Sequence, residues 1–334
     1  MQRESFVFGT RVEILIWGVP ADKAGEATSA VLQEFDRLHR EFHAWQPSQL
    51  TALNTDIAAG RPHRVSPELA QLIAVAQGES RRGGYLFDPG IGAEIKLWGF
   101  QQDSFKPRLP DAAALENLKA ARPSISDVVI DGLCPGLGDE EKASGCQVLS
   151  LNRSVALDFG GYLKGVALDH AVQILRTEGI GSALVNIGGN VIALGRKGEQ
   201  PWRIGIQHPR NTGPLASLEL RDGEAIGTSG DYQRYFEIDG KRYCHLIDPR
   251  TASPAQDSQS VTILIPAEEA MPGMHSDIDS KPLFIAGDDW PALAEKLGRA
   301  HILRVDKFGK IEVTVEMKAR ISFEAENLDV TLRP

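Results

Sequence analysis

The segment Asp158-Phe159-Gly160-Gly161-Tyr162-Leu163-Lys164-Gly165 constrains this chain more than any other. It separates a strand-like run, Val155-Ala156-Leu157, from an apolar helical stripe at Leu163, Ala167, Ala171, Ile174 and Leu175 that stops at Gly179. A strand that enters a helix through two glycines exposes backbone N–H groups at the positive end of the helix dipole, a place suited to a phosphate or another anion. Lys164 adds a point charge in the first turn. The residue order fits neither a P-loop nor a dinucleotide fingerprint, and a plain tight turn with a solvated lysine stays open as the simpler reading.

Around this segment, hydrophobic periodicity marks helices and strands without a regular alternation. Residues 6–17 read as one strand, with Val12, Ile14 and Ile16 alternating. Val31, Phe35, Leu38 and Phe42 recur at helical spacing, and Ser66-Pro67-Glu68-Leu69 opens another helix that Gly83-Gly84 stops. Ala183-Leu184-Val185-Asn186-Ile187 is a buried strand, and further short strands are expected over 203–207, 215–220 and 261–266. A helix around Leu293 and Leu297 precedes a hairpin of 301–305 with 311–315, turned through Lys307-Phe308-Gly309. Residues 101–150, broken by four prolines and several glycines, read as an irregular, loop-rich insertion. The mixture predicts an α+β fold, one composite domain over 1–334 with no clear linker.

Bulk properties exclude several classes. With 334 residues and 42% hydrophobic content the chain can bury a substantial core, and a net charge of −9 argues against a nucleic-acid partner. No apolar run approaches the ~20 residues of a membrane span. Met1-Gln2-Arg3-Glu4 leads directly into Ser5-Phe6-Val7-Phe8 with no apolar region or cleavage site, so a cytoplasmic location is expected as the sequence stands, or a periplasmic one with a leader removed. Three cysteines lack metal-type spacing. Cys134 and Cys146 share one expected loop and could bridge in an oxidising compartment, although two separate thiols are the simpler reading.

Three further clusters carry chemistry. Asn186-Ile187-Gly188-Gly189-Asn190 would let a ligand approach the backbone, or would simply turn a hairpin. His245, between Cys244 and Leu246-Ile247-Asp248-Pro249, is a candidate general base or a structural histidine. His275-Ser276-Asp277-Ile278-Asp279-Ser280-Lys281-Pro282 groups acids and a hydroxyl of the kind Mg²⁺ prefers, or forms a helix start with an exposed Asp277–Lys281 pair worth only ~0.3–0.5 kcal/mol.

Taken in order, these blocks resemble the ApbE family of FAD:protein FMN transferases. The matching pieces are Phe8-Gly9-Thr10; 42–54 with Trp45; Phe87-Asp88-Pro89 with Leu97-Trp98-Gly99-Phe100; 158–165 with Asp169; 185–190; Pro201-Trp202-Arg203 with Ile206-Gln207 and Pro209; 228–232; 245–251; and 277–287. The resemblance implies that FAD is the substrate, that FMN passes through a phosphoester to a threonine of an acceptor flavoprotein, and that AMP leaves. It places Phe8, Trp45, Phe87, Asp88, Pro89, Asp158, Lys164 and Ile247 at the FAD site, and makes His245 the base, with Asp277 and Lys164 beside it in catalysis. Gly161, Asp277 and Ser280, with position 281, would face Mg²⁺.

One position departs from the family's pattern. The family normally carries threonine four residues after the metal-binding aspartate, and Lys281 stands there in this chain. A charged lysine offers no lone pair and repels a divalent cation. The turn then holds a weakened Mg²⁺ site, or the ammonium takes the cation's place, or the chain binds FAD without transferring FMN. Asp279 is a possible substitute ligand. An FAD pyrophosphatase and a non-catalytic FAD-binding protein are the alternative activities. Nothing identifies the acceptor protein or the oligomeric state.

Overall fold

The computed structural model describes residues 1–102, 106–131, 146–326 and 328–333. Its contacts group into two compact units, neither continuous in sequence: Met1–His39, Tyr162–Gln233 and Gln256–Pro334 form the first, and Arg40–Gly161 with Arg234–Ala255 the second. The chain therefore changes unit four times, and the composite domain expected over 1–334 has an internal division that no linker announces.

The first unit is built on a nine-stranded sheet. Its strands run in the order Gln2–Val7, Thr10–Ile16, Ala183–Ile187, Asn190–Leu194, Ala225–Gly230, Ser258–Ile265, Ile302–Asp306, Ile311–Thr314 and Val330–Arg333. Every pairing is antiparallel except the last. The strand expected over 6–17 is two strands. Phe8 and Gly9 take φ of 56° and 67°, and positive φ at both central residues makes the tight hairpin turn that brings Val7 opposite Thr10. Gly188-Gly189 likewise closes the Ala183–Ile187/Asn190–Leu194 hairpin.

One face of the sheet packs through Leu184, Val191, Leu264, Leu303 and Val313 on Trp202, Ile206, Leu215 and Leu218. Those partners belong to a three-stranded sheet of Ile321–Phe323, Pro214–Leu220 and Trp202–Gln207. The other side carries the helices Leu163–Thr177 and Pro272–Ile285. All eight residues of Ser258–Ile265 are buried, because the strand is covered on both faces. The two helices meet at glycines: a Cβ on Gly165 would lie 2.5 Å from the Gly273 carbonyl oxygen, and one on Gly273 would lie 2.7 Å from that of Gly165. Backbone contact this close needs the missing side chains.

The second unit contains the helices Gln49–Ala59, Pro67–Arg82, Gly92–Leu97 and Ala112–Ala121. It also has a sheet of His63–Val65, Cys146–Ser150 and Val128–Asp131, and two short hairpins, Tyr235–Ile238/Lys241–Cys244 and Ile247–Asp248/Ser253–Pro254. Ser66 caps Pro67–Arg82 by accepting the Leu69 N–H, as its sequence predicts. The described residues of 101–150 include regular elements. They hold the helix Ala112–Ala121, capped by Asp111, and two paired strands whose short apolar runs the prolines obscured. Cys146 starts one of those strands and is disulfide-bonded, which corrects the simpler reading of separate thiols; Cys244 is a free buried thiol, and Cys134 lies outside the described residues.

Candidate functional site

In the first unit the site is assembled on two helix starts. Asp169, buried on Leu163–Thr177, accepts the N–H groups of Gly273 and Met274 at 2.8 Å each and so caps the helix Pro272–Ile285. Burial pushes its carboxyl up to about 6 against the pull of those two N–H groups. Asp277, one turn further along, reaches back: its Oδ2 accepts the Gly165 N–H at 3.0 Å, in the first turn of Leu163–Thr177. Each helix thus places a carboxylate at the positive end of the other.

Lys281 completes the arrangement. Its Nζ donates to Asp277 Oδ1 at 2.6 Å and to the Asp277 carbonyl at 2.7 Å. The pair is buried, with side-chain exposures of 12% for Lys281 and 1% for Asp277, so the exposed surface pair expected from sequence is an interior one. Burial opposes ionisation of Asp277, but Lys281, then Lys164, and the Gly165 N–H hold its carboxyl below the usual range. Burial lowers the pKa of Lys281, and Asp277 opposes that while Lys164 adds to it. Two ammonium groups therefore act on one carboxylate.

The fit of a divalent cation can be judged from these donors. Mg²⁺ takes an octahedron of oxygens that includes one or two free carboxylates. Here both Asp277 oxygens are engaged, one by an ammonium. Ser280 Oγ donates to the Asp277 carbonyl at 3.0 Å and pairs with Ser229 Oγ at 2.8 Å. Asp279, the possible substitute, faces Arg299 instead, with Oδ2 2.7 Å from its Nε. Among the described residues no three His, Cys, Asp or Glu side chains group as a metal site. The donor set does not suit Mg²⁺. Phe8, also in this unit, is half-buried, its ring 6.0 Å from Phe35 and 5.5 Å from His39.

In the second unit the segments expected to line FAD run side by side. The Asp158 N–H donates to the Pro89 carbonyl at 2.8 Å, the Gly92 N–H to the Ala156 carbonyl at 2.7 Å, and Asn54 clamps Leu157 through both N–H and C=O. Asp88 is a staple: it accepts the N–H groups of Gly90 and Ile125 at 2.8 Å and the Ser124 hydroxyl at 2.5 Å. Asp158 accepts the Gly160 N–H at 2.9 Å and the Gln101 amide at 3.0 Å, fixing the double-glycine turn that ends at half-buried Gly161. Phe87 is buried, and Ile247 packs with Ile91, Trp98, Phe100 and Phe236.

Trp45 stands on a braced turn. His43 Nδ1 accepts the Trp45 and Gln46 N–H groups, Ser48 and Thr51 form a capping box, and the Arg234 guanidinium lies 5.9 Å from the Trp45 ring centre. His245 follows the strand Lys241–Cys244, its ring edge-on to Phe100 at 6.4 Å. Its Nδ1 lies 3.2 Å from the Arg234 carbonyl oxygen. A carbonyl only accepts, so the neutral ring carries its proton on Nδ1 and its lone pair on Nε2.

Sequence reading passed over Glu94. It is 1% exposed, and burial, then the Asp88 charge, pushes its carboxyl up to about 8. The available signal was a lone acid between Ile91 and Ile95.

The chain is an α+β protein in which a carboxylate and two lysines meet at a helix start. It matches the ApbE family over residues 8–303, and it belongs to that family. A protein of Rhodobacter capsulatus named FAD:protein FMN transferase is 38% identical over 95% of this chain, which spans 57% of that protein's length. One of the same name from Klebsiella pneumoniae is 30% identical over 77% of this chain and 72% of its own. The crystal structure of the ApbE protein of Thermotoga maritima superposes with a TM-score of 0.83 at 30% identity, covering 98% of this chain and 99% of that one. The flavin transferase ApbE from Vibrio cholerae shares the fold, with a TM-score of 0.79 at 23% identity over 96% and 98% of the two chains. No helix among the described residues is long and apolar enough to cross a membrane.

Proposed function

We propose that this chain transfers FMN from FAD to a threonine of an acceptor flavoprotein, with AMP as the leaving group. Membership of the ApbE family and relatives named for that activity support the reading. The observation that carries it is Lys164, in the first turn of Leu163–Thr177 beside the Asp277 carboxylate. A lysine at a helix start supplies fixed positive charge where a pyrophosphate would need it.

In the reaction, the threonine Oγ attacks the phosphorus on the riboflavin side of FAD. The new O–P bond forms as the bond to the bridging oxygen breaks, and AMP leaves with that oxygen. The threonine proton passes to the His245 ring, which its Nδ1 contact with the Arg234 carbonyl holds in place. Trp45, half-buried on its braced turn, offers an aromatic face for a flat ring of FAD. Because the donors around Asp277 do not suit Mg²⁺, no step is assigned to a metal.

The test is incubation with FAD and a flavoprotein carrying an acceptor threonine, followed by in-gel flavin fluorescence and chromatography for AMP. Label and AMP in equal amounts support transfer. AMP with free FMN would mean a pyrophosphatase, and intact bound FAD a flavin-binding protein.

A further inference from the structure

Resting on that reading, we infer that this chain binds the phosphates of FAD on built-in lysine charge, with Lys281 in the place of a divalent metal ion. The donors around Asp277 form a closed set. Lys281 Nζ occupies Asp277 Oδ1 and the Asp277 carbonyl, the Gly165 N–H occupies Oδ2, and the Ser280 hydroxyl is shared between the Asp277 carbonyl and Ser229. Asp279 is committed to Arg299.

The charge balance points the same way. By formal charge Asp277 counts one negative and Lys281 and Lys164 two positive, with neighbouring Asp279 balanced by Arg299, so the cluster counts as a net cation before any ligand arrives. A dication entering it meets two ammonium groups at short range, whereas a pyrophosphate meets a favourable field. Lys281 is also held for the purpose. Two hydrogen bonds to the residue one turn before it fix the ammonium, and its side chain is only 12% exposed. A lysine so fixed supplies a point charge that no chelator removes. It cannot offer open coordination positions, so phosphate oxygens would meet N–H donors where a metal site would present a cation with exchangeable waters.

The experiment measures FAD affinity by flavin fluorescence quenching in EDTA and in MgCl₂, and Mn²⁺ binding to the same protein by electron paramagnetic resonance. The wild-type chain is expected to bind FAD with affinities within about twofold in the two buffers, and to leave the free Mn²⁺ signal undiminished. Lys281→Thr is expected to weaken FAD in EDTA by about tenfold or more and to regain it with Mg²⁺. Wild-type affinity that collapses in EDTA and returns with Mg²⁺, or stoichiometric Mn²⁺ uptake, would overturn the inference, as would a folded Lys281→Thr that binds FAD tightly in EDTA. Should that variant fail to fold, the wild-type Mn²⁺ and EDTA measurements decide alone. Tight, metal-indifferent FAD binding without acceptor labelling removes the transferase reading and leaves this one standing. Absence of FAD binding in both buffers removes both.

Discussion

Lys281 holds Asp277 at two points, the carboxylate at 2.6 Å and the carbonyl at 2.7 Å, one helical turn apart and out of solvent. A surface pair at this spacing contributes a few tenths of a kcal/mol, but in the interior each charge depends on the other. Lys281→Met is therefore expected to cost about 3–5 kcal/mol by stranding a buried carboxylate. Asp277→Asn combined with Lys281→Met should recover most of that loss in chemical denaturation. A double variant as unstable as the sum of the two singles would show that the pair is not coupled.

Asp169 gives a second prediction. It accepts the first N–H groups of Pro272–Ile285 from the neighbouring helix. Asp169→Ala should cost about 1–2 kcal/mol, with Asp169→Asn costing less because it keeps an acceptor oxygen. Urea midpoints of the two variants check the order.

Glu94 predicts a pH dependence. Its carboxyl is raised from 4.5 to about 8, first by burial and then by Asp88, so the folded chain holds this proton more tightly than the unfolded one. Its contribution is fully present below pH 4.5 and is lost as pH rises towards 8. Glu94→Gln, which cannot ionise, should flatten that slope and stabilise the protein at pH 8 by on the order of a few kcal/mol. Melting curves of the two proteins across this range that run parallel would contradict the assignment.

His245→Ala tests the proton acceptor. Transfer to the acceptor threonine should slow by about 10²-fold or more while FAD affinity stays within about twofold. Loss of FAD binding instead would make His245 a residue of the flavin site.

Gly165→Ala should destabilise by about 1–3 kcal/mol, since its Cβ would meet the Gly273 carbonyl oxygen at 2.5 Å and neither helix backbone can yield cheaply. Thermal melting reads the loss.

Much of the fold was legible because periodicity and punctuation agreed. Ser66-Pro67 opened a helix, Gly83 ended it, and Ala183–Ile187 was apolar enough to be a buried strand. The turn at Phe8-Gly9 was hidden because phenylalanine rarely takes positive φ, and the strands Val128–Asp131 and Cys146–Ser150 are too short to outweigh the prolines around them. At the site, residue identities were readable but commitments were not. Asp279 looked like a spare ligand, but Arg299, twenty positions away, holds it, and Asp277–Lys281 looked like surface, but their helix packs against Leu163–Thr177 and the sheet. Burial is a property of the neighbours, and those lie far along the chain.

The division into alternating segments sets a schedule for synthesis. Thr10–Ile16 has one neighbour at once, Gln2–Val7, but its other edge pairs with Ala183–Ile187, where Val12 meets Ile187. At roughly 5–20 residues per second, the first hairpin leaves the ribosome on the order of ten seconds or more before that neighbour exists. Its unpaired edge is exposed for that time to other nascent chains, and long-range pairing of this kind slows folding further. A chaperone that shields strand edges during translation would raise the yield of this protein more than one that acts after release.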